Sequence, residues 1–304
     1  MTTEALALPR SRAGGRIAAG IAQSKAVAVL AIVALIVLAW YAAVYPMNAD
    51  LPSMPKEVPF AERFAAAYAL DRPVLPAPHQ VIAELWKTTV ETRATSPRSL
   101  LFHGWVTLSS TLVGFALGSL LGIVLAIGIV SVKPLEKSLL PWIIASQTIP
   151  ILAVAPIVIV VLGSIGLTGL VPKAIISMYL CFFPVTIGMV KGFTSPDTMQ
   201  LDLMRTYSAS GLQTFAKLRW PASVPFLFAS LKVAVAISLV GAIVGELPTG
   251  AQAGLGARLL SGSYYGQTVQ IWSALFASSI LASGLVLAVA LIERVTMRLM
   301  GARP

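Results

Sequence analysis

Six apolar runs punctuate this chain, near residues 26–45, 104–130, 139–163, 170–190, 224–245 and 271–292. Each holds roughly twenty or more residues with almost no charge, which matches the ~30 Å hydrocarbon thickness of a bilayer. Lipid offers no partner to a free backbone N–H or C=O, so every run is expected to be a helix. The pattern predicts an all-α, polytopic membrane protein. Between the fourth and fifth runs lies a polar interruption, Lys191 to Ser223, reading KGFTSPDTMQLDLMRTYSASGLQTFAKLRWPAS. Between the first and second lies a proline-rich segment, 46–102, with short helices expected near 59–70 and 78–92.

Composition agrees with the pattern. Hydrophobic residues make up 57% of the 304 residues and charged residues 11%, and the mean hydropathy is +0.85. The net charge of +10 would suit nucleic acid if it were clustered on a soluble surface, but it sorts by side of the membrane instead. With the N-terminus inside, the inner segments carry thirteen basic residues against five acidic ones, and the outer segments carry eight against seven. The excess of Lys and Arg on one face orients the chain with both termini cytoplasmic. It also places Lys191 to Ser223 in the cytoplasm. The charge-free run Ala26 to Tyr45 is longer than a signal-peptide core of about 7–15 residues, so it reads as a retained anchoring helix.

Individual residues refine this picture. Ser110, Gly114, Gly118 and Gly122 form a small-residue stripe that suits close helix packing. The third run contains Pro141, Pro150 and Pro156 around Ser146, Gln147 and Thr148, so it should be kinked. Two roles fit that polar trio: facing a solute path, or satisfying the carbonyls that proline frees. The same two roles fit Tyr179 and Thr186 beside Pro184. Lys232 lies within snorkelling reach of the inner interface, and Glu246 either caps the outer loop after it or faces the mouth of a path. Cys181 is the single cysteine, and His79 and His103 stand apart, so no metal site is expected. No G-x-x-x-x-G-K-[ST] loop is present, and no nucleophile and base are grouped, so no catalytic residue is assigned.

In the polar interruption, Ser195, Pro196 and Asp197 read as a helix start, with a hydroxyl cap, a proline and an early acid. A surface helix is expected over Asp202 to Leu218, ended by Trp220, Pro221 and Pro225. The spacing around these prolines resembles the cytoplasmic signature of binding-protein-dependent ABC importer permeases: Glu-Ala-Ala, three residues, Gly-Ala, and a spacer that ends in a hydrophobic residue, Leu and Pro. The acidic position falls on Asp202, the glycine on Ser208 and the alanine on Ala209, while Leu203 and Met204 replace alanines. LPAPHQV at 75, HGWVTLSSTLVGFALGSLLG at 103, SQTIPILAVAPIVIVVLG at 146 and VGAIVGELPTGAQAGLGARL at 240 resemble segments of the nitrate, sulfonate, taurine and thiamine- or pyrimidine-precursor branch.

The resemblance implies six transmembrane helices with a five-helix MetI-like core. The corresponding division is a cytoplasmic tail 1–25, a first helix 26–45, an external segment 46–102, the importer core 103–295 and a tail 296–304. It implies a permease subunit in the cell inner membrane that forms the solute path and is not itself an enzyme. A coupling element of Asp202, Arg205, Tyr207, Ser208, Ala209, Ser210, Leu212 and Phe215 would sit on an ATP-binding subunit. Ser146, Gln147, Thr148, Tyr179, Thr186 and Glu246 are the path candidates. The implied partners are ATP-binding subunits, an external or periplasmic solute-binding protein, a second copy of the permease and membrane lipid, with no nucleic acid. No cofactor is expected in this chain; ATP and Mg would belong to the partner. The competing class is an ATP-independent secondary transporter or channel, which calls for paired charges within the apolar runs or inverted repeats. The sequence suggests neither.

Overall fold

The computed structural model describes residues 25–55, 57–248 and 253–301. The N-terminal tail with Arg10, Arg12 and Arg16, the loop positions Thr249 and Gly250, and Arg303 lie outside the described residues. Those described are helical wherever they are regular, as lipid requires. Five helices are long and apolar enough to cross a bilayer, and a bent pair makes a sixth.

The chain divides into two compact units, Met1–Val81 and Ile82–Pro304. In the first, α1 (Lys25–Asn48) is long and apolar, and its last residue organises the proline-rich stretch beyond it. Asn48 is fully buried; its amide donates to the carbonyls of Ala67 and Leu75 at 3.2 and 3.0 Å, and its Oδ1 accepts from Val74 and Leu75 N–H at 2.8 and 3.2 Å. One side chain thus satisfies four backbone groups in a segment that cannot pair with itself. Tyr45, Phe60, Phe64 and Tyr68 stack along α2 (Phe60–Ala67), and Trp40 Nε1 donates to Pro76 O at 2.9 Å. The division falls within α3 (Pro78–Trp86), which continues in the second unit into one π turn over Lys87–Glu91.

In the second unit, α4 (Leu100–Ser131), α7 (Leu170–Phe193) and α10 (Trp220–Glu246) form the packed centre. The small-residue stripe is used within the chain. A Cβ on Gly118 would lie 2.8 Å from that of Cys181, so only glycine lets α4 approach α7 this closely. Ala126, Cys181, Val185, Met189, Phe193 and Ala234 fill the core below it. Ser177 donates to Ser238 O at 2.8 Å and Ser238 to Thr111 O at 3.0 Å, which ties the three helices at mid-height.

The run 139–163 does not form one kinked helix. It forms α5 (Lys133–Ser146) and α6 (Ile151–Ser164), bent by 95° at residues 147–150. Pro150 has no N–H to give and bars Ile149 from helical geometry, so the break opens fully there. The chain closes with α11 (Leu255–Tyr264), which has no counterpart among the apolar runs, and α12 (Thr268–Leu299). α12 runs past residue 295, into the stretch 296–304 that the family resemblance set apart as a tail.

Candidate functional site

The polar interruption is two short helices and a turn. α8 (Thr198–Thr206) is capped by Asp197, two residues later than the expected Ser195; the Asp197 N–H donates to Gln200 Oε1 at 3.2 Å. The turn after α8 passes through Ser208, whose φ of +52° is left-handed. Ser208 N–H donates to Arg205 O at 2.8 Å and Ala209 N–H to Met204 O at 3.0 Å, the paired bonds of a Schellman cap. A glycine normally occupies that position because it carries no Cβ penalty. Ser210 then caps α9 (Gly211–Thr214): its Oγ accepts from Gln213 N–H at 3.3 Å and its N–H donates to Gln213 Oε1 at 2.8 Å.

The expected helix over 202–218 is therefore broken at 207–210. From Gly211 the chain is helical through to Glu246, so Trp220, Pro221 and Pro225 do not end it. A π turn over Phe215–Arg219 widens the helix just before Pro221 and absorbs the clash of the proline ring with the preceding turn. Of the expected coupling residues, Tyr207 and Leu212 are 77% and 78% exposed. Asp202 and Arg205 pair at 3.0 Å on the surface of α8. Phe215 faces the other way, with its ring 5.0 Å from that of Phe193 on α7, so it holds the segment to the membrane core and is not displayed.

The opposite end of the bundle carries a buried polar knot. The first backbone donors of α11 are caught by three side chains. His103 Nδ1 accepts from Gly254 N–H at 2.9 Å, Thr107 Oγ1 accepts from Leu255 N–H at 2.9 Å, and Glu246 Oε2 accepts from Gly256 N–H at 2.8 Å. A carboxylate at a helix N-terminus is where the backbone dipoles favour it. Glu246 is fully buried, takes a further bond from Thr107 Oγ1 at 2.9 Å and stands 3.7 Å from Lys173 Nζ, which itself donates to Ala253 O at 3.1 Å. His103 Nε2 lies 2.9 Å from Pro97 O, which fixes the neutral tautomer with its proton on Nε2. The knot joins α4, α7, α10 and α11. Beside it opens a cavity of about 740 Å³ lined by Trp105, Ser109, Thr168, Lys173, Gly245 and Ala253.

The remaining path candidates do not meet in one place. Tyr179 OH donates to Ser146 O, Ser146 Oγ to Ile143 O at 2.7 Å, Thr148 Oγ1 to Ala145 O at 2.7 Å and Gln147 Nε2 to Ser146 Oγ at 3.2 Å, all at the break between α5 and α6. Thr186 is buried and bonded to Phe182 O at 2.8 Å. Neither Thr186 nor Glu246 presents a side chain to a solute in this conformation. Paired charges, which the sequence suggested were lacking, are present: Lys173 with Glu246, and Lys232 Nζ with Glu293 Oε2 at 2.7 Å between α10 and α12. Lys232 thus has an acid on α12 as its partner. Among the described residues no cluster of metal-ligating side chains occurs.

Residues 118–300 match the family described as the binding-protein-dependent transport system inner membrane component. The chain belongs to this family. Similar proteins include a probable ABC transporter permease protein of Haemophilus influenzae, 32% identical over 60% of this chain and 69% of that protein. The formylaminopyrimidine transport permease protein ThiX of Halalkalibacterium halodurans is 33% identical over 60% of this chain and 68% of its own. The riboflavin transport system permease protein RibX of Chloroflexus aurantiacus is 29% identical over 74% of this chain and 80% of its own. This ABC importer permease is a multi-pass, all-α transport component, and the matched region holds residues 191–223 as well as Lys173, Glu246 and α11. The permease's knot was only partly visible beforehand. Glu246 and His103 stand out in the sequence as lone polar residues, whereas Lys173 and Thr107 do not, because their partners lie 73 to 148 residues away.

Proposed function

We propose that this permease forms the solute path of an importer in the cell inner membrane and is driven by ATP hydrolysed in a separate subunit docked on residues 197–219. The observation that carries the reading is the display of Tyr207 and Leu212, two large apolar side chains held out between two capped short helices. Large apolar side chains exposed together on a polar segment outside the membrane-spanning runs suit a protein partner. Ala209 and Ser210 beside them are small enough to allow close approach, and Arg205, with Asp202 on its flank, sits at the rim. ATP and Mg belong to the partner subunit, where they supply the free energy of transport.

Both termini are cytoplasmic in this reading, an external solute-binding protein delivers the solute, and a second copy of the chain completes the path. Nucleotide-driven movement of the docked subunits shifts α8 and α9, and the membrane helices follow as rigid bodies, because Phe215 anchors the segment to α7 and the helix from Gly211 runs unbroken to Glu246. The polar trio Ser146, Gln147 and Thr148 with Tyr179 then sits at the break most able to flex, while Glu246 and Thr186 act within the packed wall of the path. Co-purification of the ATP-binding subunit tests this. Wild type retains it, and Leu212→Asp with Tyr207→Ala releases it while the permease stays folded; retention by that variant refutes the docking site.

A further inference from the structure

A second cavity, of about 730 Å³, lies between the end of α4, the flank of α8, Ala209 and Leu212 of the polar segment and the π turn that leads into α10. Its polar lining is Ser131, Arg205, Thr214 and Arg219, set among apolar Val130 and Phe215. Hydroxyls on the long helices of this chain commonly donate to a carbonyl one turn back, as those of Ser109, Thr186, Ser230 and Ser273 do. The hydroxyls of Ser131 and Thr214 make no such bond among the described residues, and the half-buried guanidinium of Arg219 has neither a hydrogen bond nor an ion pair there. No acidic side chain lines the cavity. The nearest acid in sequence, Asp202, is held by Arg205 at 3.0 Å on the exposed face of α8.

We propose that this cavity binds a phosphate group, with the Arg219 guanidinium as the principal contact and Ser131 and Thr214 as hydroxyl donors. An unpaired guanidinium with two free hydroxyls and no carboxylate selects an anion. A planar guanidinium fork matches two oxygens of a tetrahedral oxyanion, and the hydroxyls can serve the others. The volume exceeds what a single carboxylate side chain needs, and the apolar flank of Val130 and Phe215 accommodates the carbon skeleton of a phosphate ester. Two sources share this chemistry: the headgroup of an anionic phospholipid, since a basic pocket at the inner end of membrane helices lies at headgroup depth, and a free cytoplasmic phosphate. The proposal rests on the functional reading above only for placing this end of the bundle in the cytoplasm. A bound phosphate would tie the end of α4 to α8 and α9, and so set how freely the displayed segment moves.

The test uses the purified full-length permease without its ATP-binding subunit, so that its outcome is separate from that of the docking test. One arm counts phosphatidylglycerol and phosphatidylcholine molecules retained in native mass spectra; the other titrates inorganic phosphate and follows the phosphorus NMR signal. Phosphatidylglycerol retained over phosphatidylcholine, or saturable phosphate binding, is expected, and Arg219→Gln should weaken whichever is seen by about tenfold, as loss of a charge-assisted pair implies. Arg219→Lys keeps the charge without the fork and should fall between the two, and Ser131→Ala with Thr214→Val should weaken binding several-fold with circular dichroism and melting unchanged. Equal retention of both lipids together with no phosphate binding overturns the proposal. So does binding that Arg219→Gln leaves intact. In a separate co-purification of the assembled transporter, loss of the ATP-binding subunit from Arg219→Gln with lipid and phosphate binding unchanged would assign the cavity to an acidic side chain of that partner, and overturns the proposal too.

Discussion

Replacing Glu246 with glutamine tests whether the buried polar knot is an electrostatic unit or merely a packed corner. Glutamine keeps the volume and one acceptor oxygen, so a bond from Thr107 or from Gly256 N–H survives. The negative charge 3.7 Å from Lys173 Nζ does not. Lys173 is 9% exposed, and its one remaining bond is to the Ala253 carbonyl, so its ammonium is left buried without a counter-charge. Removing one member of a buried ion pair costs about 3–5 kcal/mol. Lys173→Met alone strands the carboxylate in the same way, although Thr107 and Gly256 still support it, so its cost should fall at the lower end of that range. The double variant removes both charges, and well-packed neutral replacements of buried pairs are often close to neutral. The cycle should therefore show a coupling energy of at least about 2 kcal/mol, well above the roughly 0.5 kcal/mol within which independent sites add. Melting midpoints of the purified permease in detergent, read by tryptophan fluorescence, supply the four corners. Additive losses, or a Glu246→Gln midpoint equal to wild type, would refute the claim that the two charges act as a pair.

Gly254→Ala should abolish accumulation of folded permease, since a Cβ there would lie 2.1 Å from the Glu246 carboxyl carbon on a backbone with φ of +132°; immunoblotting of membranes checks it. Ser208→Gly should raise the melting midpoint, because a left-handed conformation costs a residue with a Cβ about 1 kcal/mol, and should leave co-purification of the ATP-binding subunit intact. Lys232→Glu or Glu293→Lys alone should lower thermal stability and the combined swap should restore much of it, because the pair at 2.7 Å joins α10 to α12; scanning calorimetry of the four proteins checks this.

What the chain revealed in advance depended on the range of the interaction. Apolar run length fixes spanning helices through a requirement local to each run, and α1, α4, α7, α10 and α12 sit where the runs do. The 95° break was legible as a kink but not in size, because Pro150 forbids helix continuation without saying where the next helix points. The prolines at 221 and 225 pointed to a helix end that is absent. A π turn absorbs Pro221, while the true break is set by Ser208 in a conformation its identity does not announce. α11 was hidden because its N-terminal donors are satisfied by His103, Thr107 and Glu246, whose convergence is tertiary. The inward turn of Phe215 has the same origin: its partner Phe193 lies on another helix.

Docking of an ATP-binding subunit on α8 and α9 is open to site-specific photocrosslinking. A benzoylphenylalanine placed at Leu212 or at Tyr207, each more than three-quarters exposed on the segment of α8 and α9, is compared with one at Tyr264, equally exposed at the C-terminal end of α11. In inner membranes containing the assembled transporter, Leu212 and Tyr207 should crosslink to the ATP-binding subunit and Tyr264 should not. A crosslink from Tyr264 to that subunit, or none from Leu212 and Tyr207 in a complex that still co-purifies, would contradict docking at this segment.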